Sequence, residues 1–201
     1  MVETSNLREL SEQLDRCLLM GVLNATTDSF FDGGKYPDLD SRLEHAERLI
    51  SEGADVLDVG GQSAITGVPE TDPAVEIQAI CPIISQVRAQ HPDLPISVDT
   101  YKPPVAEAAL EAGATIVNDT SGLKYPEVAE ITAAAEATLV VMHNRSAPKE
   151  RLTNPHLYDD VMQDVREFLD ERIEIAVAAG LGMSRSSSTW APTSLRPRPR
   201  R

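Results

Sequence analysis

Residues 96–118 read Ile-Ser-Val-Asp-Thr-Tyr-Lys-Pro-Pro-Val-Ala-Glu-Ala-Ala-Leu-Glu-Ala-Gly-Ala-Thr-Ile-Val-Asn. Two short segments rich in β-branched residues, Ile96–Val98 and Thr115–Val117, flank an alanine-rich stretch that opens on proline and closes on Gly113. β-branched residues favour strands, and proline at the start with glycine just past the end brackets a helix. The stretch is read as a strand, a helix over 104–112 and a second strand. The strands end on polar residues, Asp99 and Asn118. Continuous apolar strands of this kind suit a parallel sheet covered on both faces.

The same unit recurs on either side. Upstream, Cys17–Leu23 is an apolar run ending at Asn24, and a polar loop follows through Asp32-Gly33-Gly34. Ser41–Glu52 has Leu43, Ala46, Leu49 and Ile50 on one helical face, with Asp40 as the expected N-cap and Gly53 as the residue past the C-terminus. Val56–Val59 is a strand. Asp72-Pro73 starts a helix that carries Val75, Ala79, Ile80, Ile83 and Val87 inward and is expected to kink at Pro82. Downstream, a helix over 126–135 precedes a strand over 138–142 that ends near His143. Asn154-Pro155 is expected to cap a long helix, with Leu157, Val161, Val165, Phe168 and Leu169 on one face, running towards Gly180.

Five consecutive β-α units fit either a doubly wound open sheet or a (β/α)8 barrel. No G-x-G-x-x-G or Walker sequence follows the first strand, which weakens the nucleotide-binding open sheet. Polar residues gather at strand ends, namely Asn24, Asp58, Asp99, Asn118 and His143, and in a barrel such positions converge on one mouth. The barrel is the favoured reading.

The 201 residues, 41% of them apolar, suffice for one sizeable core. No segment approaches the length of a membrane span, and Met1–Asp15 is polar and acidic without a secretion signal's apolar run. Cys17 and Cys81 sit among apolar residues and are read as two buried free thiols of a reduced, cytoplasmic protein. The net charge is −14; five arginines and no acid in 184–201 leave the preceding residues at −19. So acidic a body repels nucleic acid and anionic membranes.

Several segments admit an ordinary and a functional reading. The loop Asn24–Gly34 has the composition of common turns, as well as oxygen ligands and a double glycine. Gly60-Gly61 frees backbone N–H groups for an anion, or permits close packing. Asp99 and Asn118 end neighbouring strands and together offer acceptor, donor and acceptor in a row, the complement of a flat polar heterocycle such as a pterin. Asp99 could instead cap the segment that follows. His143 alone is more often structural than catalytic. No second ligand at zinc spacing and no G-x-S-x-G nucleophile turn is visible.

The segments M-G-V-L-N-A-T-T-D-S-F-F-D-G-G (20–34), G-A-D-V-L-D-V-G-G-Q-S (53–63), I-S-V-D-T-Y-K (96–102), V-N-D-T-S-G (117–122) and V-V-M-H (140–143) resemble, in order and spacing, the successive motifs of dihydropteroate synthases. The resemblance covers Leu18 to Gly182. It implies a (β/α)8 barrel and a transferase of folate biosynthesis. Such an enzyme condenses 6-hydroxymethyl-7,8-dihydropterin pyrophosphate with p-aminobenzoate to give 7,8-dihydropteroate and pyrophosphate. It implies Mg²⁺ and pyrophosphate at Asn24, and pterin at Asp99, Asn118 and Met142, with Asp99 and Asn24 in catalytic roles. Asp28, Ser29 and Phe30 resemble a first loop that closes over p-aminobenzoate, and Ser63 belongs to the second loop.

Two features depart from the pattern. The family's second loop reads E-S-T-R-P-G, whereas this chain has Gln62-Ser63-Ala64-Ile65-Thr66-Gly67, so Ile65 stands where an arginine would meet pyrophosphate. Thr27 replaces a proline. A non-catalytic pterin-binding or partner-binding relative is therefore the alternative reading; a methyltetrahydrofolate-using domain of the same fold fits the first loop less well. Beyond residue 183 the family's sixth-strand motif and later basic residues are missing. Residues 184–201 form a Ser/Arg/Pro-rich tail, expected to be disordered and read as out of frame. One inserted nucleotide after the Met183 codon makes the tail compatible with E-Q-I-V-L-D-L-G-P-D-F-A-K-T, and the Trp190-Ala191 codons force the glycine of that motif. The expectations are thus a partial barrel over 1–183, a tail over 184–201, little synthase turnover and no family homodimer interface.

Overall fold

A computed structural model of the chain describes residues 7–25, 38–63, 69–146 and 158–182. Asp28, Ser29, Phe30, Thr27, Ile65, the Asn154-Pro155 pair and the tail lie outside them. The elements in chain order are α1 (Leu7–Leu14), β1 (Met20–Asn24), α2 (Leu39–Ser51), β2 (Val56–Gly60), α3 (Pro73–Gln90), β3 (Ile96–Asp99), α4 (Pro103–Glu111), β4 (Ile116–Asp119), α5 (Glu127–Ala134), β5 (Thr138–Val141) and α6 (Val161–Ala178).

The sheet has the order β1-β2-β3-β4-β5, every pair parallel. Each strand adds beside its predecessor and the order never reverses. A doubly wound sheet reverses at its switch point, so the topology is that of the first five β-α units of a (β/α)8 barrel. Leu23, Leu57, Val59, Val98, Leu139 and Val141 are buried on one face with Ile80, Ile83, Ile84 and Val87 of α3 and Val105 and Ala109 of α4. That places the core between the sheet and its outer helices, and the opposite face is the barrel's inner one.

Several element boundaries differ from expectation for local reasons. Helix α2 is capped by Asp38, not Asp40, because the Asp38 carboxylate accepts from the Ser41 N–H. Helix α6 is capped by Asp160 rather than by Asn154-Pro155; its carboxylate accepts from the N–H groups of Met162 and Gln163, and Val161 is left exposed. Strand β1 begins at Met20, since the Leu19 carbonyl already serves the N–H groups of Asp55 and Val56 at the turn before β2. Helix α3 continues through Pro82, which faces solvent.

Val75 points outward, 54% exposed, and its neighbour Glu76 takes the inward place. Cys17 is exposed and Cys81 half-buried, so the expected burial of both thiols is wrong, although both are free. Helix α1 went unread in the sequence, and none of its residues is buried. The glycines past α2 and α4 were read correctly: Gly53 and Gly113 have φ of 107° and 113°, which only glycine adopts cheaply. No helix among the described residues is long and apolar enough to cross a membrane.

Candidate active site

Parallel register sets the site. Asn24 pairs with Gly60, Gly60 with Asp99, Asp99 with Asn118, and Asn118 with Val140, forming one row at the strands' C-terminal ends. Partners in register point to the same face of a pleated sheet, here the inner one. Gly60 has no side chain, so the row has a gap at β2 through which Asn24 and Asp99 face each other. A Cβ built on Gly60 would stand 3.8 Å from Asn24 Oδ1, 3.6 Å from Asp99 Oδ2 and 3.5 Å from Asp99 Cβ. The sheet thus brings together Asn24, Asp99 and Asn118, three of the residues singled out in the sequence.

One layer deeper, Asp58 pairs in register with Val22 and Ser97. It is the middle residue of β2 and not a strand end, because β2 continues to Gly60. Asp58 is 4% exposed; Ser97 Oγ donates to its Oδ1 at 2.5 Å and Asn118 Nδ2 to its Oδ2 at 3.4 Å. Burial raises its pKa, and the two hydrogen bonds oppose the rise.

Asp99 accepts from Thr120 Oγ1 at 3.3 Å. Burial, and then the neighbouring Asp58 carboxylate, push Asp99 up to about 7. Its side chain therefore changes charge within the physiological range. Ionised, it offers two oxygens to N–H donors of a ligand, and a negative charge to any cation that develops beside it.

The flank of the mouth is built by a buried lysine. Lys102 Nζ donates to Glu76 Oε2 at 2.8 Å, to Gln62 Oε1 at 2.7 Å and to the Thr71 carbonyl. Gln62 in turn accepts from the Thr71 N–H and donates to the Tyr101 hydroxyl, each at 2.8 Å. Lys102 and Glu76 are 6% and 1% exposed. The network ties the turn after β2, where Ser63 sits half-buried, to the start of α3 and to the segment after β3. Gly61 packs beneath it, for a Cβ there would lie 2.6 Å from Glu76 Cγ. Of the two readings of the double glycine, close packing is what Gly61 performs.

Met142 lies just past β5 with its side chain 44% exposed. Its N–H donates to the Asp119 carbonyl at 3.0 Å. His143 is held by packing and pairing: Nε2 is 2.9 Å from Asp164 Oδ2, and the ring stands edge-on to Phe168 at 4.9 Å. Arg145 pairs with the same Asp164. This cluster anchors α6 to the end of β5, which is the structural role for His143. The Lys102–Glu76 pair was missed as part of the site, and Asp58, grouped with the strand ends at the mouth, lies one layer below it. The available signal was a single acid inside the otherwise apolar run Val56-Leu57-Asp58-Val59.

Residues 20–185 match the family described as "Pterin binding enzyme". The dihydropteroate synthase of Bacillus subtilis is 40% identical over 168 residues, covering 83% of this chain and 56% of that protein. A Yersinia pestis dihydropteroate synthase, solved in complex with a sulfonamide drug, superposes with a TM-score of 0.76 at 38% identity, over 84% of this chain and 60% of that one. A Xanthomonas albilineans dihydropteroate synthase, solved with 4-aminobenzoic acid, gives 0.74 at 40% identity, over 86% and 60%. The chain spans less than two thirds of the length of these relatives.

Proposed function

The chain belongs to the pterin-binding enzyme family, and we propose that it binds a reduced pterin at the C-terminal end of its sheet, as the pterin half of a dihydropteroate synthase site. The observation that carries this reading is the row Asn24, Gly60, Asp99, Asn118, with its acceptor, donor and acceptor groups and no side chain at Gly60 between Asn24 and Asp99. In the whole reaction, the pyrophosphate of 6-hydroxymethyl-7,8-dihydropterin pyrophosphate leaves with the electrons of its bond to the pterin methylene. The amine of p-aminobenzoate then forms the new C–N bond there and gives up a proton. Asp99 would stabilise the methylene cation with its carboxylate. Asn118 orients the ring, and Asp28, Ser29 and Phe30 of the first loop would cover p-aminobenzoate.

Mg²⁺ fits the donor chemistry. Magnesium is commonly held by one or two protein oxygens together with substrate phosphates, and Asn24 places one such oxygen at the rim. Bound there, the ion would neutralise pyrophosphate as it departs. Met142 and Ser63 are proposed to line the pterin and pyrophosphate sides. The setting we propose is the cytoplasm. Ile65, in place of a cation in the second loop, favours weak turnover. Losing one preorganised charge contact commonly costs about 10²–10³ in rate, so binding, rather than turnover, is the property that tests the reading.

Calorimetric titration of 6-hydroxymethyl-7,8-dihydropterin into the 201-residue chain is expected to give saturable binding to one site. Asn118→Ala should weaken it by about tenfold, the worth of one or two neutral hydrogen bonds. A wild-type chain that shows no saturable binding would rule the reading out.

A further inference from the structure

Asp58 takes no part in the chemistry above, yet it is a buried acid lying directly beneath the mouth. Its two oxygens are both occupied, Oδ1 by the Ser97 hydroxyl and Oδ2 by Asn118 Nδ2. A carboxylate only accepts hydrogen bonds, so Asn118 can meet it only with the nitrogen end of its amide. Turned over, an asparagine amide keeps its shape but exchanges donor for acceptor. Asp58 is on β2 and Asn118 on β4, with β3 and its Asp99 between them. The nitrogen end therefore lies on the Asp99 side and the carbonyl on the far side.

We propose that Asp58 is a positioning residue that sets the hydrogen-bond polarity of the mouth. By holding the Asn118 amide it fixes the order Asp99 acceptor, Asn118 N–H donor, Asn118 carbonyl acceptor, and so selects a ligand edge that reads donor, acceptor, donor. The inference rests on the pterin reading and deepens it. The edge of 7,8-dihydropterin formed by N8–H, N1 and the 2-amino group has that order. 7,8-Dihydrolumazine, in which an oxo group replaces the 2-amino group and N1 carries a proton, has nearly the same outline but reads donor, donor, acceptor.

The test is Asp58→Asn in the full chain, titrated with both compounds. The Ser97 hydroxyl still needs an acceptor, so the oxygen of the new amide faces Ser97 and its NH2 faces Asn118. Asn118 then turns its carbonyl inward, and the mouth reads acceptor, acceptor, donor. Wild type is expected to prefer 7,8-dihydropterin by about tenfold or more. The variant's preference should move towards 7,8-dihydrolumazine by on the order of 10–100-fold, the worth of one or two hydrogen bonds gained by one ligand and lost by the other. A merely structural Asp58 would weaken both ligands alike.

A second measurement does not depend on the variant's folding. In the nitrogen-15 spectrum of wild type, the Asn118 side-chain amide should show one proton slowed in exchange and shifted as Asp58 ionises. An unchanged preference in a folded variant, or two Asn118 amide protons that exchange alike and do not respond to the ionisation of Asp58, overturns the role of Asp58 while leaving pterin binding intact. A wild-type chain that binds neither compound overturns the pterin reading, and this role with it.

Discussion

Asp99→Asn is expected to weaken binding of 7,8-dihydropterin by about 10- to 100-fold while making the fold more stable at pH 8. The loss of affinity follows from replacing a charged acceptor by a neutral one, since hydrogen bonds to charged groups contribute about 1.5–3 kcal/mol. The gain in stability follows from the position of Asp99. It is pushed up to about 7 by burial and by the acids around it, Asp58, Glu76 and Asp119. An ordinary aspartate in the unfolded chain titrates near about 3.9.

A carboxylate whose folded pKa lies above its unfolded value penalises the native state. The penalty is absent below about pH 4, grows as the pH rises towards 7 and is complete above that. The asparagine variant escapes it, so its melting temperature should exceed that of wild type at pH 8 and converge with it at pH 4. A gain of about 1–2 kcal/mol is the usual scale for removing a strained functional group. Binding supplies the matching sign: wild-type affinity should fall about tenfold from pH 8 to pH 6 as Asp99 takes up its proton, and the variant should lack that dependence. A variant that binds as tightly as wild type and melts at the same temperature at pH 8 would remove Asp99 from the site.

The second large effect is on stability. Lys102→Met should cost about 3–5 kcal/mol, the usual consequence of removing one partner of a buried ion pair. Lys102 and Glu76 are both almost wholly buried, and Lys102 Nζ also serves Gln62 and the Thr71 carbonyl. Without it, Glu76 is left charged and unpaired in the core. The double variant Lys102→Met with Glu76→Leu should recover most of the loss, because an apolar pair can replace a buried ion pair at little cost. Chemical denaturation of the three proteins decides the matter; a double variant no more stable than the single one would mean that the lysine acts through Gln62 and Thr71 alone. The network also gives a physical reason for Gln62, where the resembling motif has glutamate. With Glu76 already paired to the only lysine in this network, a second acid at position 62 would be a half-buried charge with no counter-ion of its own.

The fold was readable because its signals are local. Each strand is a short apolar run, and proline and glycine bracket the helices between them: Pro73 starts α3, and Gly53 and Gly113 close α2 and α4. The row Asn24, Asp99, Asn118 was also readable, since each of these residues follows the point where an apolar run stops, although β4 continues one residue past Asn118 to Asp119. What escaped was set by partners far along the chain. Nothing near Glu76 says that it turns inward; its reason is Lys102, 26 residues later. Asp58 looked like a strand end until the register placed it one layer below Gly60, within reach of Ser97 and Asn118. Helix α6 was assigned to the wrong cap because Asn154-Pro155 and Asp160 carry equivalent local signals, and only the observed hydrogen bonds choose between them. Helix α1 was missed although Leu7, Leu10 and Leu14 share one helical face, because it is a short element in a polar, acidic stretch; none of its residues is buried.

The proposed ligand position is the C-terminal end of the sheet. The direct test is a nitrogen-15 chemical-shift map of the chain on addition of 7,8-dihydropterin. The largest shifts are expected at Asn24, Gly60, Asp99, Asn118 and Thr120, with smaller ones at Ser63 and Met142. Shifts confined to the shallow cavity between α4 and α5, lined by Glu107, Leu110, Glu111, Ile131, Ala134 and Ala135, would contradict it, as would a spectrum that does not change.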